Sequence, residues 1–414
     1  MAVAPLAGSS VHVSATETVN MGLIGCRNRG NRVMSYFLSN PGVRCSAVCD
    51  IDQDILRSTA DKVAKIQGRS PDMYDDYRKI LDRKDIDAVL IATPDHWHCL
   101  QFVDACKAGK DIYVEKPIAN SIAECDAMVA ATQKYNRIVQ VGQQQRSSEH
   151  WKAMVEYLKS GKLGKIGRVH VWANFNYGVI STLVPDSEVP EGIDFNTWLG
   201  PAPRIPFNMR KYRSWRMFWD YGGGLMTDWG VHLIDMALWG MDVKTMPLFT
   251  VASGGNYLFP DGAQETFDTM SVTYQFKDFI VEWENNAGVE TGPYGKNYGL
   301  LFRGTNGTLV ADRTDWEIYP EKDKIPVEKF VADNKDAYNH VTNFLDCVKS
   351  RNPVTACPVE NGSICAKYAH LGNIGARVGG KTLVYDDRTK KFNIPEAGKY
   401  LQATYRSPWT FPKV

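Results

Sequence analysis

Two short stretches hold residue types that move protons. The first is Glu115-Lys116-Pro117, which closes the apolar run 112–114. A lysine at a strand-to-loop turn can donate or accept a proton at a substrate oxygen. Pro117 disfavours the helical region for Lys116 and stiffens the turn. The second is Gly222-Gly223-Gly224-Leu225-Met226-Thr227-Asp228-Trp229-Gly230-Val231-His232-Leu233-Ile234-Asp235. Its glycines let backbone approach a ligand closely. Asp228, His232 and Asp235 are spaced by four and three, so on an α-helix they share one face. A carboxylate one turn from an imidazole can orient it or tune its pKa. The expected catalytic set is therefore Lys116 and His232 handling a proton, with Asp228 positioning them. Each piece also has a plainer reading: a solvated lysine, an N-capping Asp228, a buried structural His232. A histidine with two acids can hold a metal, but no HExxH spacing accompanies it, and no metal is expected.

An earlier constellation suits a dinucleotide. Gly25-Cys26-Arg27-Asn28-Arg29-Gly30 follows the apolar run 19–24. The fingerprint for a pyrophosphate between a strand and a helix is G-x-G-x-x-G. Gly25 and Gly30 supply the tight turn and the close helix–strand packing, and Arg27 holds the middle place. Arg27 must swing outward, where it can pair with a phosphate. Asp50 ends the second apolar run, 43–49, twenty residues after Gly30. A carboxylate there accepts hydrogen bonds from ribose hydroxyls and repels a 2′-phosphate, which favours NAD, with NADP possible. Its plainer reading is an N-cap for the next helix.

Later strand ends complete the crevice, because open α/β sheets bind ligands beyond their carboxyl edge. Thr93-Pro94-Asp95-His96 and Glu115-Lys116 fall there. Cofactor contacts are expected from Gly25, Cys26, Arg27, Asn28, Arg29, Gly30, Asp50, Thr93, Pro94, His96, His98, Glu115 and Lys116. Of the two histidines flanking Trp97, one is read as covering the crevice and the other as packing. Substrate contacts are expected from Lys116, Asp228, His232 and Arg146. Arg146 ends Gln143-Gln144-Gln145-Arg146, whose amides and guanidinium suit a polyhydroxylated ligand; a merely polar hinge fits equally. Trp215, Phe218, Trp219 and Tyr221 can stack on a sugar or fill core.

The elements that must hold these residues change character along the chain. Up to about residue 147, strand runs (19–24, 43–49, 88–92, 112–114, 138–141) alternate with helical patterns (31–38, 51–67, 76–81, 97–108, 122–135). That alternation means βαβ units and a parallel, doubly wound sheet. After a helix over 151–158, alternating strands follow at 168–176, 270–276, 280–285, 299–302 and 308–311, read as antiparallel with one face buried. Asn306-Gly307 is a hairpin signal, and helices are expected over 336–350 and 359–377. The fold class is thus an α/β Rossmann domain over 19–147 and an α+β domain over 148–414 with a large, open, mostly antiparallel sheet. Residues 1–18 carry no charge before Glu17 and read as a flexible arm or a trimmed signal remnant.

With 414 residues the chain can bury two cores. A formal charge of +1 argues against nucleic acid and anionic membranes, and no run reaches the length of a membrane-spanning helix. Nine cysteines without CxxC favour a reducing compartment and a cytoplasmic location; the N-terminus leaves export as the alternative.

Together, residues 25–30, Asp50, Thr93-Pro94, Glu115-Lys116-Pro117, Val141-Gly142 and the Asp228/His232 pair resemble the Gfo/Idh/MocA family, which includes glucose–fructose oxidoreductase and inositol dehydrogenase. The landmarks span about residues 19 to 380 in order. The resemblance implies a catalytic lysine at Lys116 with Asp228 and His232 as partners. It also implies an open sheet whose face forms a homodimer or homotetramer. Arg27 departs from the pattern. The function so implied is NAD(P)-dependent oxidation or reduction at a hydroxyl or keto carbon of a sugar, polyol or glycoside. Two alternatives stand beside it: an NAD-dependent glycoside hydrolase acting by transient oxidation and elimination, and a non-catalytic NAD- and sugar-binding sensor. Intact Lys116, Asp228 and His232 argue against the sensor.

Overall fold

The structure is a computed structural model that describes residues 18–177, 179–180, 182 and 184–414. The arm expected over 1–18 lies outside them except for Thr18. The first half builds β1 (Val19–Ile24), α1 (Asn28–Leu38), β2 (Val43–Cys49), α2 (Gln53–Gln67), β3 (Asp72–Tyr74), α3 (Tyr77–Leu81), β4 (Ala88–Ile91), α4 (Asp95–Lys107), β5 (Asp111–Val114), α5 (Ile122–Tyr135) and β6 (Val139–Val141). All six strands are parallel, in the order β3-β2-β1-β4-β5-β6. β4 and β5 are buried along their whole length, as expected of strands covered on both faces. The order reverses between β1 and β4, which opens a crevice at their carboxyl ends. Register puts Ile24, Cys49, Ile91 and Val114 level, so Gly25, Asp50, Ala92 and Glu115 leave the sheet along one edge.

Two helix starts differ from the sequence reading. α1 begins at Asn28, inside the glycine motif, and α2 at Gln53, because Asp52 accepts the Asp54 and Ile55 amides. β3 was not anticipated. It is a three-residue, largely exposed edge strand with no apolar alternation to reveal it.

The second half continues with α6 (Glu149–Lys159), β7 (Ile166–Asn174), α7 (Phe195–Leu199), α8 (Met209–Arg213), a π-helical turn (Met226–Gly230) and α9 (Val231–Gly240). Then come β8 (Phe249–Gly255), β9 (Thr269–Gln275), β10 (Ile280–Asn286), β11 (Tyr298–Gly304), β12 (Gly307–Ala311), β13 (Asp315–Pro320), β14 (Lys329–Val331), α10 (Asp336–Ser350) and α11 (Val359–Arg377). The eight strands form one sheet, β14-β13-β12-β11-β7-β10-β9-β8. Every pairing is antiparallel except β7 with β10, so the sheet is mostly antiparallel, as expected. The β8-β9-β10 meander returns β10 beside β7 running the same way. Trp283, Val171, Val272 and Phe302 face α6, α9 and α11 across one core.

The first domain does not close its own core. Val341, Phe344 and Leu345 of α10 pack with Met21, Leu23, Val33 and Phe37. Val359 and Ala366 of α11 join the core on the other face of the sheet. All nine cysteines are buried and unpaired. No helix among the described residues is long and apolar enough to cross a membrane.

Candidate functional site

The turn after β1 depends on two glycines. Gly25 has φ +90°, and a Cβ there would lie 2.7 Å from the Ala92 carbonyl oxygen. A Cβ on Gly30 would lie 1.9 Å from the Gly25 carbonyl oxygen. Neither position can hold a side chain while α1 starts where it does. Arg27, at the N-cap of α1, has extended backbone and turns its side chain outward, as its place in the motif requires. Its Nη2 donates to Asp52 Oδ2 and to the Tyr212 hydroxyl, both at 2.6 Å, and the guanidinium lies over the Tyr212 ring. Its charge is thus met by Asp52 within the chain.

Asp50 accepts the Cys26 amide at 2.7 Å on Oδ2 and the Asp52 amide at 3.1 Å on Oδ1. Asp52, not Asp50, caps α2, so the N-cap reading of Asp50 does not hold. Burial raises the Asp50 pKa, partly offset by those two amides. Two obligatory glycines, a free helix N-terminus and a strand-end carboxylate on one crevice fit a dinucleotide.

That crevice has a volume of about 1760 Å³ and runs from Gly25 and Asp50, past Thr93, Pro94 and Glu115, to Lys116, Asp228 and His232. Arg27, Asn28 and Arg29 also line it. Several expected contacts are placed elsewhere. Cys26 is buried, with its thiol toward the Cys49 carbonyl, and Gly30 packs on Gly25. His96 Nε2 meets the Trp198 carbonyl; His98 bridges the Pro117 and Thr93 carbonyls. On the same helix it is Trp97, Leu100, Gln101 and Asp104 that line the crevice, at helical spacing. Arg146 forms a bidentate buried pair with Asp235 and lies over the Trp239 ring, away from the crevice. Of the glutamines beside it, Gln144 reaches the crevice. Of the aromatic group, Trp215 lines it, while Phe218 and Tyr221 are core.

At the inner end, Lys116 Nζ donates to Asp228 Oδ1 at 2.5 Å and to the Asp228 carbonyl at 2.7 Å. Arg216 Nε reaches the same Oδ1 at 3.2 Å, and the Tyr177 hydroxyl also bonds this carboxylate. Burial would raise the Asp228 pKa; Lys116 and Arg216 reverse that and hold the carboxyl well below its usual range. Asp228 is therefore ionised and fixes the lysine. Among the described residues no hydrogen bond joins it to His232. Asp228 lies in the π-helical turn and His232 in the first turn of α9, and both line the crevice. Asp235 is likewise spent on Arg146. His232 is buried, its Nδ1 has no partner, and burial followed by the charges of Arg313, Lys116 and Arg29 holds its pKa well below the ordinary value. The imidazole is neutral and able to accept a proton.

Arg216, Tyr177, Arg313, Trp229 and Tyr298 line this end and were not singled out in the sequence. Arg216 lies inside the aromatic stretch and Trp229 inside the Gly222–Asp235 stretch; Tyr298 opens β11, and Tyr177 and Arg313 sit in loops without a motif.

Two family models cover almost the whole described chain. One, for the NAD-binding Rossmann fold of an oxidoreductase family, matches residues 19–143; the other, for that family's C-terminal alpha/beta domain, matches 152–411. The chain belongs to the Gfo/Idh/MocA oxidoreductase family. Its N-terminal domain binds NAD. Among curated relatives, the uncharacterized oxidoreductase YrbE of Bacillus subtilis is 26% identical over 84% of this chain and 91% of its own length. A glycosyl hydrolase family 109 protein of Saccharopolyspora erythraea is 35% identical, but the match covers 33% of this chain and about a third (31%) of that protein. Among solved structures, a levoglucosan dehydrogenase in complex with NADH and levoglucosan shares the fold at TM-score 0.66 and 17% identity, over 89% of this chain and 99% of that one.

Proposed function

We propose that this Gfo/Idh/MocA protein oxidises or reduces a hydroxyl-bearing carbon of a sugar, polyol or glycoside with NAD. The observation that carries the reading is the Lys116–Asp228–Arg216 cluster, with neutral His232, at the inner end of the crevice that the glycine turn opens. The residues at 25–30 and Asp50 hold the dinucleotide, which supplies a hydride acceptor or donor when bound. Lys116, fixed by Asp228, hydrogen-bonds the reacting oxygen and moves its proton. His232 is the second proton acceptor, kept neutral by its burial and cationic neighbours. Trp229, Phe175 and Tyr298 wall the site with aromatic faces suited to the apolar face of a sugar ring.

The levoglucosan dehydrogenase neighbour supports a carbohydrate substrate. A second reading, a glycoside hydrolase that oxidises and re-reduces its substrate, is supported by the family 109 matches, which are confined to a third of those proteins or less. We also propose that the outer face of the eight-stranded sheet, which carries Arg168, Glu282 and Glu284, joins copies into a dimer or tetramer; sedimentation of the purified chain tests it. For the activity, a panel of sugars and glycosides is incubated with NAD and reduced nicotinamide is followed by absorbance. A rise with one substrate class is expected. Aglycone release that needs NAD, without a rise, selects the hydrolase. Neither result from any member refutes both.

A further inference from the structure

The inner end of the crevice gathers three cations, Lys116, Arg216 and Arg313, beside the carboxylates Asp228 and Asp95. Lys116 and Arg216 share one carboxylate, Asp228. Arg313, just after β12, pairs with none among the described residues. Its Nε donates to the Gln145 side-chain oxygen at 3.1 Å, and its guanidinium lies 4.4 Å over the Trp229 ring. Its terminal nitrogens have no hydrogen-bond partner among the described residues. The adjacent Asp312 is occupied by Lys296 at 2.7 Å and by the amide and hydroxyl of Thr314. Asp336, in the first turn of α10, lines the same crevice without forming an ion pair with Arg313.

A guanidinium keeps its proton, so one drawn out of water is stabilised only by an anion or by acceptors. Here one amide oxygen and one ring face serve it, and burial lowers its pKa accordingly. The dinucleotide's own phosphates are met by the turn 25–30 and the N-terminus of α1, which belong to the first domain. Arg313 instead stands with Trp229, Tyr298 and His232, the residues that wall the substrate end.

We propose that Arg313, assisted by Arg216, is an anion subsite, and that the substrate is a sugar bearing a carboxylate or phosphate group. This rests on the reading of the crevice as an NAD-dependent sugar oxidoreductase site and names its substrate class. Terminal guanidinium nitrogens bind either group through charge-assisted hydrogen bonds.

The test uses the full chain with NAD and matched sets: glucose, glucuronate and glucose 6-phosphate, and the same three forms in the galactose and mannose series. In at least one set an acidic member should exceed its neutral partner by about 100-fold in kcat/KM, mostly through KM. Arg313→Gln should collapse that ratio, and Arg313→Lys should restore part of it. Preference for the uronate over the phosphate assigns the group as carboxylate, and the converse as phosphate. Equal or better turnover of neutral sugars overturns the subsite, as does a ratio that Arg313→Gln leaves unchanged. If no sugar reduces NAD, thermal shifts with the same compounds decide. Stabilisation by acidic members alone, lost in Arg313→Gln, upholds the subsite while the oxidoreductase reading fails. No difference between acidic and neutral members overturns the subsite as well.

Discussion

Asp228 receives a lysine, an arginine and a tyrosine hydroxyl, and its ionised state fixes where Lys116 can point. Lys116→Ala should lower kcat by on the order of 10³-fold, the range of a lost proton-transfer group, while NAD affinity by protein-fluorescence titration stays near that of the parent. His232 is held neutral far below its ordinary pKa of 6.5, so it stays able to accept a proton as pH falls through that value. The pH profile of kcat/KM should therefore show no acid limb near 6.5 that vanishes in His232→Gln; finding one would refute the neutral-histidine role. Arg146 and Asp235 read alike in the sequence, as polar residues near a site, yet they pair with each other in the core. Asp235→Asn should cost roughly 3–5 kcal/mol in urea unfolding, because it strands a buried guanidinium. Their types were legible; their pairing was not, since it joins residues 89 apart in sequence.

At the scale of elements, local rules gave β1, β2, α5, α10 and α11 to the residue, because apolar period and capping residues are encoded within each segment. α1 is the element that creates the dinucleotide seat, and its contact with the turn is closest at Gly30. Gly30→Ala should cost about 3 kcal/mol in thermal or denaturant unfolding and abolish NAD binding, since α1 must move off the Gly25 carbonyl. A folded variant that still binds NAD tightly would show that the helix can shift without harm. The π-helical turn over Met226–Gly230 is an element the sequence does not announce. Four-residue spacing promised one face, and Asp228 and His232 both line the crevice, but Asp228 bonds Lys116 rather than His232. Nothing in the local sequence separates an α-turn from a π-turn here; the turn runs straight into α9 and packs against α11.

In the whole molecule the two domains are interlocked. α10 supplies core to the N-terminal sheet, and the C-terminal segment returns to the crevice mouth, where Trp409 and Phe411 line it and Trp409 meets Trp97 edge-on. Tyr405 secures that segment by donating to Glu124 of α5 at 2.6 Å. Burial raises the Glu124 pKa to about 7 despite this bond. The folded protein thus keeps a proton that the unfolded chain releases above about 4.5, and stability falls as pH rises from there to about 7. This group should account for a loss of roughly 3 kcal/mol across that window. Denaturant midpoints measured across it should be flatter in Glu124→Gln; an unchanged slope would assign the pH dependence to other groups. The sequence by itself pointed to a Rossmann unit followed by a sheet-rich one, to the glycine turn with Asp50, and to Lys116, Asp228 and His232 as candidates, because period, turn chemistry and motif spacing are local. Only the tertiary structure decided that Asp228 serves Lys116 rather than His232, that Arg146 and both histidines of α4 leave the crevice, and that Arg216 and Arg313 enter it. Those outcomes depend on contacts between residues far apart in the chain, where charge and burial select partners that no local pattern records.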